Sequence, residues 1–166
     1  VLTHDVGGSF AVKIWPYPEQ LLCLFAARAL NRPVKWVATR TELTLCDAQG
    51  RGRTDHATLA LDNEGNILAF RVDADGDLGA YLNAVAPSVF TSGACRTFGH
   101  NYRIPALHYR VRGVFTNMPP TDAYRGAGKP ESVGTLERVL DHAAGELGLD
   151  PIEIRRRNLV RQDEIP

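Results

Sequence analysis

The sequence predicts a mixed α/β fold of the α+β class, and three patterns in its 166 residues indicate this fold. The N-terminal part alternates between strand-like and helix-like segments, as a βαβ unit does. The middle is rich in β-forming residues, and the C-terminal part carries apolar residues at helical spacing. We therefore expect a βαβ unit, a β-rich middle and C-terminal helices.

The βαβ unit is predicted from three consecutive segments, "VLTHDV", "PEQLLCLFAARALNR" and "PVKWVAT". The first and third favour strands. The second favours a helix, because Pro18 suits the first turn and Glu19 suits the positive end of the helix dipole. The connection between the two strands should be a right-handed crossover.

Two strands of the β-rich middle are predicted from "DHATLALD" and "ILAFRVDAD". The intervening "NEGN" is a hairpin signal, because Gly65 can adopt positive φ. Residues 76–100 show no clear period, so we expect a loop-rich crossover there. "ALHYRVRGVFTN" predicts a further strand.

Two helices are predicted near the C-terminus. The first has one apolar stripe that should be buried, formed by Val133, Leu136, Leu140, Ala143 and Leu147. Gly148 is a natural C-terminal stop for that helix. The second helix should begin with Asp150 as its N-cap and Pro151 at its first position.

Composition and charge exclude several classes of partner. Apolar residues make up 44% and charged residues 23%, which is typical of a globular protein. Nineteen basic residues balance nineteen acidic ones, so we expect neither a nucleic-acid nor a membrane partner. The basic "RRRN" run at 155–158 should be a solvated or interdomain face, because successive helix positions point in different directions. Three widely spaced cysteines predict reduced thiols in a cytoplasmic protein.

The length of the chain suits one compact domain, with two small lobes as the alternative division, namely 1–50 with 100–166, and 51–99. The chain opens on Val1 instead of methionine and ends on "RQDEIP" without a closing element. We therefore expect residues 1–166 to be a single piece of something longer.

Two glycine-rich loops lie in "VGGSFAVK" and "AYRGAGKPE", and each precedes a predicted helix. The second loop is not a phosphate-binding P-loop, because Ala123 replaces the first glycine and Pro130 replaces the serine or threonine. The first loop lacks the third glycine of a dinucleotide fingerprint. The glycines still allow a ligand to approach backbone amides closely, although tight turns into helices are the plainer interpretation.

Taken in order, five segments carry a family resemblance: "VGGSFAVK", "PEQLLCLFAARALNRPVKWVATRTE", "GRTDHATLALDNEGNILAFRVDADGDLGAY", "YRIPALHYRVRGVFTNMPPTDAYRGAGKPE" and "LERVLDHAAGELGLDPIEIRRRNLV". Together they resemble the large, molybdenum-containing subunit of the xanthine dehydrogenase and aldehyde oxidase family, which includes carbon monoxide dehydrogenase large chains. The resemblance extends from Val6 to Val160 and implies part of a molybdopterin-binding domain.

The resemblance implies a molybdopterin cofactor, including its cytosine dinucleotide form, with molybdenum held through the pterin and not by protein ligands. It implies FAD and 2Fe-2S centres on partner subunits or domains, the remainder of the large subunit as a further partner, and a small-molecule substrate. It also implies that both loops face the cofactor, where the amides of Phe10 and Arg125 would orient the metal's ligands. The implied cofactor-binding residues are Gly7, Gly8, Ser9, Phe10, Ala11, Tyr124, Arg125, Gly126, Ala127 and Gly128.

Four departures from the family pattern narrow the implied chemistry. Ala11 stands where the family has glycine, and alanine is strained if positive φ is required there. Purine-oxidising members carry a glutamate at the place of Ile14 and a phenylalanine at the place of Ala127. Carbon monoxide dehydrogenases carry a copper-binding cysteine at the place of Gly126. What remains is hydroxylation of an aldehyde or an N-heterocycle with water-derived oxygen.

The family's general-base glutamate lies downstream of these motifs, and its apical glutamine lies upstream. We therefore expect no catalytic residue in this chain and no turnover by the chain alone. Neither Glu42 nor Glu131 is assigned the base role, because each better suits the start of a helix. The alternatives are a non-catalytic scaffold or interaction domain of the same ancestry, and a site for another phosphate-bearing small molecule.

Overall fold

The computed structural model describes Asp5, Gly8 and residues 10–165 and confirms the mixed α/β fold class. The helices are α1 (Pro18–Leu30), α2 (Arg40–Cys46), α3 (Ala86–Ser88), α4 (Lys129–Leu147) and α5 (Pro151–Asn158). The strands are β1 (Arg53–Leu61), β2 (Ile67–Gly79) and β3 (Ala106–Phe115). A π-helical turn, Val89–Gly93, follows α3, and a 3₁₀ turn spans Gln162–Glu164.

The three strands form one sheet in the order β1-β2-β3. β1 and β2 are antiparallel and are joined by the predicted hairpin, in which Gly65 has φ 86°. The Asp62 carboxylate closes this turn by accepting hydrogen bonds from the amides of Glu64 (3.0 Å) and Asn66 (2.8 Å). β2 and β3 are parallel, so the chain between them must cross over, as predicted, but the crossover begins after Gly79, because residues 76–79 belong to β2.

The core lies between one face of this sheet and α4. Phe70, Val72 and Ala74 alternate along β2 and point to the same buried face. Phe98, from the crossover, stacks on Phe70 with ring centroids 5.0 Å apart. Each fully buried leucine or phenylalanine contributes about 1.5–3 kcal/mol to folding, so this layer holds the sheet and α4 together.

The predicted stripe of α4 is shifted by about one position. Leu136 and Leu140 are fully buried as expected, but the buried row continues to Ser132 and Ala144 at i, i+4 spacing. Leu147 lies 38% exposed beyond the end of the sheet. Gly148 ends the helix with φ 64°, as predicted.

The α5 helix begins as predicted, because the Asp150 carboxylate accepts from the amides of Ile152 (2.8 Å) and Glu153 (3.0 Å). The arginines of the "RRRN" run point in different directions. Arg155 pairs with Glu137 and Asp141, Arg157 pairs with Glu153 on its own helix, and Arg156 is exposed. These contacts confirm the solvated-face prediction. Within the described part of the chain, no helix is long and apolar enough to cross a membrane.

The prediction of a second strand in the βαβ unit is wrong. Residues 33–39 form no strand, and the first predicted strand, 1–6, lies outside the described residues except for Asp5. A strand needs a neighbour to pair its amides and carbonyls, and none of the described strands pairs with this segment. Trp36 and Val37 are exposed, and α1 just before them has no buried residue. The crossover also contains more helix than predicted.

Asn158 joins α5 to the hairpin and generates the first prediction. Its buried Oδ1 accepts from the Ile67 amide (2.8 Å), and its Nδ2 donates to the carbonyls of Gly65 (2.9 Å) and Ile154 (2.8 Å). Asn158→Ala should lower the free energy of unfolding by about 2 kcal/mol or more, because the Ile67 amide loses its acceptor in a buried place. Urea denaturation measures this loss. Arg156→Ala on the same helix is the control and should change the stability by about 0.5 kcal/mol or less.

Candidate cofactor-binding site

The two glycine-rich loops, distant in sequence, meet at one surface. The Arg125 amide donates a hydrogen bond to the Phe10 carbonyl at 2.9 Å. The Phe10 ring stacks on the Tyr124 ring, with centroids 5.8 Å apart and an interplanar angle of 7°. Phe10 is 50% exposed, and Arg125 and Gly126 are also exposed beside it. The structure thus brings Phe10 of the first predicted group against Tyr124 and Arg125 of the second, whereas Gly7 and Ser9 lie outside the described residues.

The second loop has a left-handed backbone at three successive residues. Gly126 has φ 98°, Ala127 has φ 39° and Gly128 has φ 90°. At Gly128 the side chain must be absent, because a Cβ would lie 2.2 Å from the Val89 carbonyl oxygen and 2.7 Å from the Ala94 amide. The loop therefore rests directly on the π-helical turn that follows α3, and α4 begins at its end.

The first loop is strained at two non-glycine residues. Phe10 has φ 47° and Ala11 has φ 83°, and the Ala11 carbonyl accepts from the Ile14 amide at 3.1 Å. Positive φ at position 11 is the condition under which alanine in place of glycine is strained. Gly8 also has positive φ, at 78°, and a Cβ there would meet nothing within 4 Å.

A buried tyrosine supports the first loop from behind. The Tyr17 hydroxyl donates to the Val12 carbonyl (2.7 Å) and accepts from the Ala48 amide (3.2 Å). Burial raises the pKa of Tyr17 above its ordinary value, so the hydroxyl stays protonated and keeps donating. Lys13, in the same loop, pairs with the buried Asp47. The first loop is thereby attached to the segment that follows α2.

That segment is in turn attached to the second loop. The Gln49 amide donates to the Pro120 carbonyl (2.8 Å), and the Asp122 amide donates to the Gln49 carbonyl (2.9 Å). The carboxylate of Asp122, which is almost fully buried, accepts from the Ala123 amide (2.5 Å) and the Val85 amide (3.3 Å). Residues 47–51 thus lie between the two loops and connect them.

Arg51 is a contact residue that the sequence did not reveal. Its guanidinium donates to the carbonyls of Tyr124 (3.3 Å) and Arg125 (2.5 Å). No motif contains it, and its flanking glycines, Gly50 and Gly52, are the only local signal in "GRGR". The sequence alone does not show that Arg51 and its flanking glycines lie next to the second loop.

One implied role needs correction. The Arg125 amide cannot orient a metal ligand while it donates to Phe10, so it links the two loops instead. The amide of Gly126 is exposed and donates to no acceptor among the described residues. The Gly126 N–H is therefore the backbone donor next to Arg125 that a ligand can use. Because glycine has no Cβ, a ligand can come close to this amide.

The exposed surface fits an anionic, oxygen-rich group such as molybdopterin. Among the described residues the Arg125 guanidinium has no ion-pair partner, and Arg125 and Gly126 are consecutive exposed residues of the loop. The 19-residue α4 begins at the end of this loop, so its positive dipole end adds to the local potential. Phosphate and metal-bound oxygens are acceptors that match these donors.

Comparison with known proteins identifies the family of the chain. The family described as molybdopterin cofactor-binding domain matches residues 1–159. The chain is 39% identical over 98% of its length to 6-hydroxypseudooxynicotine dehydrogenase complex subunit gamma of Paenarthrobacter nicotinovorans, covering 20% of that protein. It is 35% identical over its whole length to the carbon monoxide dehydrogenase large chain of Hydrogenophaga pseudoflava, covering 21% of it.

Quinoline 2-oxidoreductase from Pseudomonas putida 86 has a similar solved structure, with a TM-score of 0.91 and 37% identity. The match covers 98% of this chain and 21% of that one. This chain therefore spans about a fifth of the length of the relatives it matches.

Fold and loops together define a cofactor-binding domain of the molybdenum hydroxylase type. The chain belongs to the molybdopterin cofactor-binding domain family, whose relatives here include carbon monoxide dehydrogenase large chains and xanthine dehydrogenase molybdenum-binding subunits. That family binds molybdopterin with molybdenum. The match to it confirms the resemblance that the sequence predicted.

The strain at Ala11 generates the second prediction. Ala11→Gly should raise the free energy of unfolding by about 0.5–1 kcal/mol, because glycine adopts positive φ without the Cβ clash. Urea denaturation of both proteins measures the gain. Ala29→Gly in α1 is a matched control and should lower the stability by a similar amount, because residue 29 is helical. Equal losses in both variants would show that position 11 is not strained.

Proposed function

We propose that this chain is the molybdopterin-binding part of a large subunit that hydroxylates an aldehyde or N-heterocycle with water-derived oxygen. The observation that carries the proposal is the hydrogen bond between the Arg125 amide and the Phe10 carbonyl. It joins the two loops that the family resemblance assigns to the cofactor. The assigned residues remain Gly7, Gly8, Ser9, Phe10, Ala11, Tyr124, Arg125, Gly126, Ala127 and Gly128.

The cofactor, when bound, supplies the redox chemistry and a Lewis-acidic metal, whereas the protein supplies position and electrostatics. In this proposal the Arg125 guanidinium and the Gly126 amide hold acceptor oxygens of the cofactor. The stacked rings of Phe10 and Tyr124 form an apolar wall beside them that limits the access of water. The Gly126 amide belongs to the loop backbone, so the fold positions this donor before the ligand arrives, which is the arrangement that favours charge stabilisation.

We propose that the chain lacks a general base and is inactive alone. The Glu42 carboxylate is engaged at the start of α2, where it accepts from the Thr39 amide (2.7 Å) and hydroxyl (2.9 Å). The hydrogen bond from the Thr39 amide, and after it the one from the hydroxyl, lowers the pKa of Glu42. A carboxylate with a lowered pKa is a weaker proton acceptor, which is unfavourable for a general base. The Glu131 side chain is only 7% exposed, beneath the second loop. The base would then come from another part of the subunit.

An N-heterocycle is the substrate class we favour. Among N-heterocycles a purine is disfavoured, because Ile14 is 64% exposed and carries no polar group to hold it, and Ala127 offers no ring for stacking. Gly126 has no side-chain atom to bind copper, which argues against carbon monoxide oxidation. A structurally similar relative is named for quinoline, an N-heterocycle.

The remaining expectations are part of the same proposal: a cytosine dinucleotide form of the pterin, FAD and 2Fe-2S partner subunits, and a cytoplasmic location. The division into lobes 1–50 with 100–166 and 51–99 also stays a hypothesis. The exposed apolar residues of α1, among them Leu22 and Phe25, support a partner surface for the rest of the subunit, since monomers rarely expose such patches. A scaffold domain of the same ancestry is the alternative.

The third prediction concerns metal content. The purified 166-residue chain should contain no molybdenum by elemental analysis and no pterin by fluorescence after oxidation, because part of the site lies elsewhere in the subunit. The complete subunit should contain both in stoichiometric amounts. Stoichiometric metal in the chain alone would contradict the incomplete-site proposal, and an empty complete subunit would favour the scaffold alternative.

The fourth prediction tests Arg125. In the complete subunit, Arg125→Ala should lower kcat/KM by about 100-fold, because a positively charged donor next to the cofactor is lost. The melting temperature should change little, since the Arg125 side chain is exposed. Arg71→Ala, which removes an exposed arginine from β2, is the control for nonspecific charge effects. Wild-type turnover in Arg125→Ala would remove this residue from the mechanism.

A further inference from the structure

Arg51 contacts the second loop in three ways. Its Nη1 and Nη2 donate to the carbonyls of Tyr124 and Arg125, at 3.3 and 2.5 Å. Its Cζ lies 5.2 Å from the centroid of the Tyr124 ring, within the range of a cation–π contact. A planar guanidinium can bridge two carbonyls at once, which a lysine ammonium does much less well.

The bridge fixes the orientation of two peptide groups. In a planar trans peptide the C=O and N–H bonds point in opposite directions. The Tyr124 carbonyl accepts from Arg51 (3.3 Å) and also from the Ala127 amide (2.8 Å), and the Arg125 amide on the opposite side of this peptide donates to Phe10. Holding the Arg125 carbonyl in the same way turns the Gly126 amide away from Arg51, on the exposed side of the loop.

Arg51 is itself held by a buried carboxylate. Its Nη1 lies 3.7 Å from Oε1 of Glu131, whose side chain is 7% exposed. Neither carboxylate oxygen of Glu131 has a hydrogen-bond partner among the described residues. A buried carboxylate without donors is costly, so the nearby guanidinium offsets part of that cost. Glu131 is in the first turn of α4, and Arg51 therefore connects this helix to the loop before it.

The backbone at Arg51 is unusual for an arginine. Its φ is 68°, in the left-handed region that non-glycine residues rarely adopt. The flanking glycines are required by close approach: a Cβ on Gly50 would lie 2.5 Å from the Tyr124 Cβ, and one on Gly52 would lie 2.8 Å from the Thr121 Oγ1. Such strain persists where surrounding contacts over-determine the conformation, and it clusters at functional sites.

We infer that Arg51 is a positioning residue that orients the 124–126 peptide groups for cofactor binding. It sets the Arg125 amide against Phe10 and the Gly126 amide towards the exposed side of the loop. The inference rests on the proposed function for the identity of the ligand. The orientation itself exists without a ligand, so it can be tested separately from molybdenum binding.

The test measures amide hydrogen exchange by NMR in the full 166-residue chain. Arg51→Met keeps an unbranched apolar stem but removes all the donors of the side chain, and the Arg125 amide should then exchange about tenfold faster or more, because its hydrogen bond opens more often. Core amides of β2 should accelerate less than the Arg125 amide, and the urea midpoint should fall, because the buried Glu131 carboxylate loses its neighbouring cation. Arg112→Met, which removes an exposed arginine paired with Asp75, should leave the Arg125 amide unchanged.

Two further variants separate orientation from simple charge neutralisation. Arg51→Lys keeps the positive charge beside Glu131 but not the two-carbonyl bridge, so it should restore only part of the protection. Glu131→Gln combined with Arg51→Met should still exchange fast, because the Arg125 carbonyl remains without its donor. Full protection in Arg51→Lys or in the double variant would overturn the inference. So would unchanged exchange in Arg51→Met, or an equal acceleration across β2.

In the complete subunit, Arg51→Met should lower molybdenum occupancy, and Arg51→Lys should restore part of it. Occupancy equal to wild type in Arg51→Met, with the loop amides accelerated, would refute the role in cofactor binding. If the wild-type complete subunit holds no molybdenum, the proposed function fails, and the exchange experiment still decides whether Arg51 orients the loop.

Discussion

The parallel pairing of β2 with β3 is the constraint on which the site depends. Parallel strands end at the same edge of a sheet, so the segments that follow them are forced together. Gly79, at the end of β2, packs so closely on the next segment that a Cβ there would lie 2.4 Å from the Pro120 Cα. The Ala80 amide donates to the Met118 carbonyl at 2.9 Å across the same junction. This edge therefore determines where the second loop begins.

The second loop is then fitted between two helical elements. Gly128 lies against the π-helical turn after α3, and the next residue starts α4. π-Helical turns are rare and occur often at functional sites, which agrees with its place under the loop. Because this support comes from the crossover between β2 and β3, the same topology supplies both the loop and the surface on which it rests.

Strain accumulates where the two loops meet. Phe10, Ala11, Arg51 and Ala127 all have positive φ without being glycine, and each belongs to a loop of the site or to the segment that connects them. Each such residue destabilises the fold by about 1–3 kcal/mol. The buried layer of β2 and α4 supplies the stability that offsets this strain.

Local sequence patterns by themselves determined most of the helices, the hairpin and the family. The N-cap at Asp150, the turn at Gly65 and the stop at Gly148 depend on interactions within a few residues, which are visible in the sequence. The missing strand at 33–39 shows the limit of such patterns, because a strand exists only with a partner.

The ordered motifs also indicated which two loops matter. Only the tertiary structure decided how they meet: the bond from Arg125 to Phe10, and the bridge made by Arg51 across more than 70 residues. The physical reason is that both contacts depend on strand order and on backbone direction. Neither leaves a periodic or local signal in the sequence.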